Sequence, residues 1–120
     1  MDCNRDWLMC QHPEGQTAVK MYLDWMPNVV GDLHEQGGDS KGFYFSPGHP
    51  HRTHPLTPQQ NQQLTSAITN STAYALDDIG TLYYSKEGYD DFYVGKGAAY
   101  PDMQGSIGIL YEQVASRGYL

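Results

Sequence analysis

Basic residues are scarce in this sequence. Seven Lys and Arg stand against fourteen Asp and Glu, giving a formal charge of −7 over 120 residues. A nucleic-acid partner is therefore not expected, because phosphate recognition needs a basic face. Long apolar runs are missing too. Nothing approaches the roughly 18–20 residues of a membrane span, and the opening M-D-C-N-R-D-W carries no apolar signal core. The only cysteines are Cys3 and Cys10, at a spacing that is neither a C-x-x-C redox motif nor a zinc motif. Two unpaired thiols are expected rather than a disulfide. Nucleophile signatures are also lacking: there is no G-x-S-x-G, and no G-K-[ST] follows Gly95 and Gly97 to make a phosphate loop.

Tyrosine and glycine, by contrast, are plentiful, at ten and thirteen residues. That balance suits strands and shaped loops better than a helical bundle. The stretch V-V-G-D-L-H-E, within Asn28–Glu35, reads as a strand that delivers polar side chains at its carboxyl end. Alternation puts Val30, Asp32 and His34 on one face and Val29, Gly31 and Leu33 on the other. Apolar residues on both faces predict a strand covered by helices on both sides. Ser106–Glu112 reads the same way, with Glu112 ending an apolar strand. A carboxylate in that position is either the satisfied partner of a nearby donor or a catalytic acid/base, and the residues alone leave both readings open.

Two helices are expected. Pro13–Met26 has Pro13 at its first turn, Glu14 at the positive end of its dipole and Pro27 as a stop, with Ala18, Tyr22, Trp25 and Met26 as its core face. His12, just before it, reads as a cap or surface residue. Thr57–Ile79 has Thr57 as N-cap, Gln60 completing a capping box and Gly80 closing the helix. Its stripe reads as Leu64, Ile68, Ala75 and Ile79, with the Thr, Ser, Asn and Gln face in water. T-L-Y-Y-S reads as a short strand. Gly37–Pro55 reads as one long loop, of the kind that is functional or mobile in a compact domain. It carries His49, His51 and His54, but its prolines disfavour the helix that would bring His51 and His54 together on a metal. The glycine-rich aromatic stretch after Tyr84 looks like a binding loop. Near the start, Arg5 is either a solvated charge or an anion clamp, since its planar fork matches a carboxylate and Asn4 can add a donor.

These segments, taken in order, resemble the carboxypeptidase A-like zinc carboxypeptidases, and more closely their bacterial relatives with N-R-D-W signatures. D-C-N-R resembles the family's D-x-N-R, V-V-G-D-L-H-E the strand ending in its third zinc ligand, and G-I-L-Y-E-Q the strand ending in its general base. The resemblance runs from Asp2 to Gly118. It implies an α/β fold with a mixed, mostly parallel sheet flanked by helices. Asn4 and Arg5 would grip the terminal carboxylate of a peptide, His34 would bind zinc, and Asp2 would support another zinc ligand. Glu112 would be the general base. Tyr93, with Tyr100 as the second choice, would be the tyrosine that folds over substrate. Two features depart from the family. The H-x-x-E that supplies two zinc ligands is absent, as is an upstream arginine for the oxyanion; position 38 is Gly38, so His34-Glu35 does not open an H-E-x-x-H either.

The expectation is thus the C-terminal half of a catalytic domain, residues 1–120, with one zinc ion whose two further ligands lie outside this chain. Its partners would be a peptide or protein C-terminus and the missing N-terminal half. The resemblance also points to a periplasmic or extracellular location. Catalysis would be hydrolysis of C-terminal peptide bonds by zinc-activated water, absent or nearly so in this chain alone. The rival reading is a non-catalytic peptide- or carboxylate-binding module that keeps Arg5 and the Tyr93 loop and uses no metal. A remnant with no activity is the third.

Overall fold

A computed structural model of the chain describes residues 2–38, 40 and 42–114. Its centre is β4, Ile107–Gln113. On one side β4 pairs in parallel with β1, Val29–Glu35; on the other it pairs antiparallel with β2, Phe43–Phe45, which in turn pairs in parallel with the two-residue β3, Tyr83–Tyr84. The sheet order is β1-β4-β2-β3. Two of its three pairings are parallel, which makes the sheet mixed and mostly parallel as expected.

Helices flank this sheet. α1, Pro13–Trp25, lies on the sheet face carrying Val30, where Val19, Tyr22 and Tyr100 form one core cluster with Trp7. The three rings of Trp7, Tyr22 and Tyr100 meet edge-on or tilted with centroids 5.7–6.4 Å apart, a favoured arrangement for aromatic quadrupoles. Tyr44, Ala98 and Leu110 make a second cluster on the same sheet, joined by Tyr84 and Tyr89. α2, Gln59–Asp78, lies beside β4, and α3, Tyr100–Met103, is a single turn beneath it.

Several expectations are corrected here. The long loop contains β2: the F-Y-F triplet between glycine and proline is too short to show a period, yet it pairs with two strands. Thr57 does not cap α2, because Pro58 takes the N-cap position and no side chain caps it. The buried residues of α2 are Thr65 and Thr69, while Leu64 and Ile79 are 49% and 69% exposed. The threonine face, expected to be wet, is therefore the one turned inward, with Thr69 returning its hydroxyl to Thr65 O at 2.8 Å. The closing glycine is where it was expected: Gly80 has φ +69°, with Gly80 N on Asp77 O and Thr81 N on Leu76 O, the paired bonds of a Schellman end. Trp25 and Met26, read as core, are exposed. β1 is not covered on both faces: Val29 and Leu33 are 46% and 78% exposed.

Candidate functional site

The N-R-D-W segment folds into a 3-10 turn at Cys3–Arg5, capped by the Asp2 side chain on Asn4 N at 3.0 Å. Asp6 then ties this turn to α1. Its carboxylate accepts from Gln11 N and His12 N, both at 2.9 Å, and these bonds hold its pKa below the usual carboxylate value. Gly15 leaves the space that Asp6 occupies. His12 does stand at the N-cap position of α1 but its side chain makes no cap bond; Asp6 instead ties the N-terminal turn to the residues just before the helix.

Asn4 reaches His34. Its Nδ2 lies 3.0 Å from His34 Nε2, while its Oδ1 accepts from Gly97 N at 2.7 Å. The Gly97 bond fixes which way the Asn4 amide points. His34 Nε2 is also 2.9 Å from Asp32 Oδ1. One ring nitrogen cannot accept from Asn4 and donate to Asp32 together. The other oxygen of Asp32, Oδ2, is buried with no partner. Asp32 and His34 therefore form a corner with unmet demand for positive charge. Their contact follows from the period of a strand, which puts residues two apart on one face.

Glu112 stands beside His34 on the neighbouring strand, as its Cα partner in the β1–β4 ladder. It is buried, and loss of water pushes its carboxyl pKa up; Asp32 adds to the rise and His34 opposes it. Behind it lie tyrosines that the sequence reading did not single out. Tyr44, its antiparallel partner, stacks on Tyr89 at 4.2 Å, and Tyr84 donates to Gln36 Oε1 at 2.6 Å. Gln36 in turn donates to Glu112 O at 3.1 Å. A cavity of about 670 Å³ opens at this end of the sheet, with His34, Glu112, Tyr44 and Tyr111 in its wall.

Tyr93 comes to the same end of the chain's N-terminal turn: its hydroxyl donates to Arg5 O at 3.1 Å, and its ring lies over Gly95, where a Cβ would collide with it. Arg5 folds back onto Asn4 O at 2.8 Å and Asp2 Oδ2 at 3.9 Å, half exposed. Arg5, Asn4 and His34 are thus linked in series, and His34 and Glu112 are strand neighbours. Tyr100, the second choice, is buried among Trp7 and Tyr22 and takes no part. Asp2 caps its turn and pairs with Arg5. Cys3 and Cys10 are free thiols. In the histidine-rich loop, His49 accepts from His51 N and His54 from Leu56 N. Among the described residues no three His, Cys, Asp or Glu side chains converge as a metal centre.

No protein-family model matches the chain, and no curated protein matches it. Among solved structures it is similar to a metallo-carboxypeptidase from Burkholderia cenocepacia, with a TM-score of 0.72 at 15% identity over 95% of this chain. That likeness shows the fold. The architecture is α/β, with a mostly parallel sheet flanked by helices, as in part of a carboxypeptidase-like domain. The chain spans 29% of that protein's length; the resemblance traced to Gly118 ends outside the described residues. No helix among them is long and apolar enough to cross a membrane.

Proposed function

We propose that residues 1–120 are the C-terminal half of a zinc metallocarboxypeptidase domain, acting on the C-terminus of a peptide or protein. The observation that carries this reading is the convergence of Asn4, His34 and Glu112, which are remote in sequence, at the carboxyl ends of two parallel strands. His34 would be one ligand of a single zinc ion. Asp32 with its orphaned oxygen suits a cation beside it, and the chain's own residues do not complete a three-ligand site. Bound zinc would supply Lewis acidity and a water of lowered pKa.

The chain's own groups have distinct parts. Arg5 turns outward to meet a substrate carboxylate with two parallel hydrogen bonds, exchanging its contact to Asn4 O for them. Asn4 adds a donor, held in place by Gly97. Tyr93 stands over that anchor. Glu112, with its raised pKa and buried carboxyl, is suited to holding a proton and returning it to a leaving amine.

The test is reconstitution. The chain alone should not cleave a blocked dipeptide with a free C-terminus. Supplying a polypeptide with the two missing ligands should restore cleavage, and Glu112→Gln should lower that rate by about 10²–10⁴-fold. Zinc-dependent cleavage that survives Glu112→Gln would refute this assignment.

A second reading is favoured by a specific asymmetry: Asn4, Arg5 and Tyr93 are all present, whereas only one metal ligand is. The chain would then bind a peptide carboxylate without catalysis. Titration calorimetry separates the two. Both readings expect binding of the free-carboxylate dipeptide and its loss on Arg5→Ala, but only the enzyme reading expects rescue of cleavage. Equal binding of the C-terminally amidated dipeptide would sink both.

A further inference from the structure

Among the described residues the basic side chains Arg5, Lys20, Arg52 and Lys86 are exposed. Lys96 is the exception, with a side chain only 14% exposed. An ammonium enclosed to that degree is costly unless it is paired. Its partner is Asp90: Lys96 Nζ donates to Asp90 O at 2.9 Å and also to Asp90 Oδ1. Both bonds stay within one loop, and Tyr93 stands midway between the two residues. Loss of water raises the pKa of the neighbouring Asp91; its bond from Gly48 N and the Lys96 charge both oppose the rise.

The rest of this loop is held more weakly. Its N-terminal root is Asp91, which bonds through its backbone to Arg52 O and His54 N and accepts from Gly48 N at its carboxylate. Its C-terminal root is Gly97, bonded to Asn4 Oδ1 at 2.7 Å. Between the roots the other bonds are few and long. Phe92 N reaches Asp90 Oδ2 at 3.2 Å and Lys96 N reaches Tyr93 O at 3.3 Å, while Trp7 N to Gly95 O and the Tyr93 hydroxyl to Arg5 O are both 3.1 Å. Of these only the Phe92 bond meets a charge. A bond between two ionised groups, mostly out of water, outweighs them.

We propose that Asp90 and Lys96 are positioning residues: the pair clamps the two ends of the 90–96 span together and so holds Tyr93 beside Arg5 and Asn4. This rests on the part proposed above for Tyr93 at a substrate carboxylate. Lys96 does not itself take that carboxylate, since two of its three donors are already used on Asp90. Arg5, half exposed, is the free cation of the pair. Without the clamp the span turns about Asp91 and Gly97, and the Tyr93 bond to Arg5 O is lost with it.

Amide hydrogen exchange on the full chain tests the clamp without any ligand. Lys96→Met keeps the apolar stem and removes the charge. It should speed exchange by about tenfold at Trp7 and Phe92, whose N–H groups bond to Gly95 O and Asp90 Oδ2. Exchange at Leu110, whose N–H bonds to Ser46 Oγ in the centre of the sheet, should not change. If Leu110 also quickens, Asp90→Asn takes the place of Lys96→Met under the same criteria, since it keeps the side chain's size and the acceptor for Phe92 N. Calorimetry with a blocked dipeptide bearing a free C-terminus tests the consequence. Lys96→Met and Tyr93→Ala should each weaken binding several-fold, and the double variant no more than Tyr93→Ala alone, because the pair acts through Tyr93. A role confined to folding would instead add its own loss. Unchanged exchange at Trp7 and Phe92, or additive losses of binding, would overturn the proposal. Failure of the wild-type chain to bind the dipeptide overturns the carboxylate reading instead, and the exchange result then decides the clamp by itself.

Discussion

β1 and β4 are both seven residues long, run side by side in parallel, and carry similar apolar content, yet they live in different surroundings. β4 has neighbours on both edges and most of its residues are buried; Ile109 is 1% exposed. Among the described strands β1 has one neighbour, and every second residue is exposed, with Leu33 at 78%. Stability is therefore concentrated in β4. β1 carries the more exposed side chains. The lesson is that composition does not distinguish a buried strand from a half-exposed one; position in the sheet does.

Each strand holds a glycine near its start, and the two make the sharpest test. A Cβ at Gly108 would strike the backbone carbonyl of Ala98, so Gly108→Ala must push the 98–103 segment off the sheet. We expect a loss of about 3 kcal/mol or more. At Gly31 the nearest atom to a Cβ is Leu33 Cδ2 at 3.8 Å, an ordinary contact. Gly31→Ala should be neutral or gain up to about 1 kcal/mol, because the unfolded chain loses freedom. Denaturant unfolding measures both. Similar losses at the two sites would mean that β1 is as tightly enclosed as β4. Next in size, Ile109→Ala should cost about 2–4 kcal/mol through the cavity it leaves, and Leu33→Ala less than about 0.5 kcal/mol. A large Leu33 effect would show that its face is covered in solution.

How much of this was legible follows the same divide. β1, β4, α1 and the Gly80 end of α2 could be read because each has a long period or a turn residue with a steric reason. β2 could not, since three residues show no period, and its pairing with Tyr83 and Tyr111 is non-local. The threonine face of α2 was misread because burial there rests on β-branched packing and on hydroxyls returned to the helix carbonyls, not on hydrophobicity. At the site, Asn4, His34 and Glu112 could be named from motif order, and Asp32 was visible as sharing a face with His34. The bond from Gly97 to Asn4 spans 93 positions and leaves no local trace. Asp6 likewise leaves no local signal, since its two donors, Gln11 N and His12 N, are set by how the turn meets α1.

The smallest expected effect concerns acid, and it too separates two parts of the molecule. Glu112 on β4 and Asp102 beneath it both have raised pKa values, chiefly from burial. Such groups destabilise the fold while charged, so stability should rise as pH falls from neutrality toward the ordinary carboxylate values of 4.5 and 3.8. Asp6, at the β1 corner, is lowered by the amides of Gln11 and His12. Its contribution is present above the unfolded value and is lost as pH drops through the folded one, so stability should fall again in stronger acid. Thermal unfolding across this range should show a shallow maximum on the acid side of neutrality. Glu112→Gln should raise the midpoint at neutral pH and flatten the rise, even as it removes the proposed proton carrier. If it instead lowers neutral stability, the charged Glu112 is satisfied by its neighbours, and β4 has no stability to gain at the position where it meets His34.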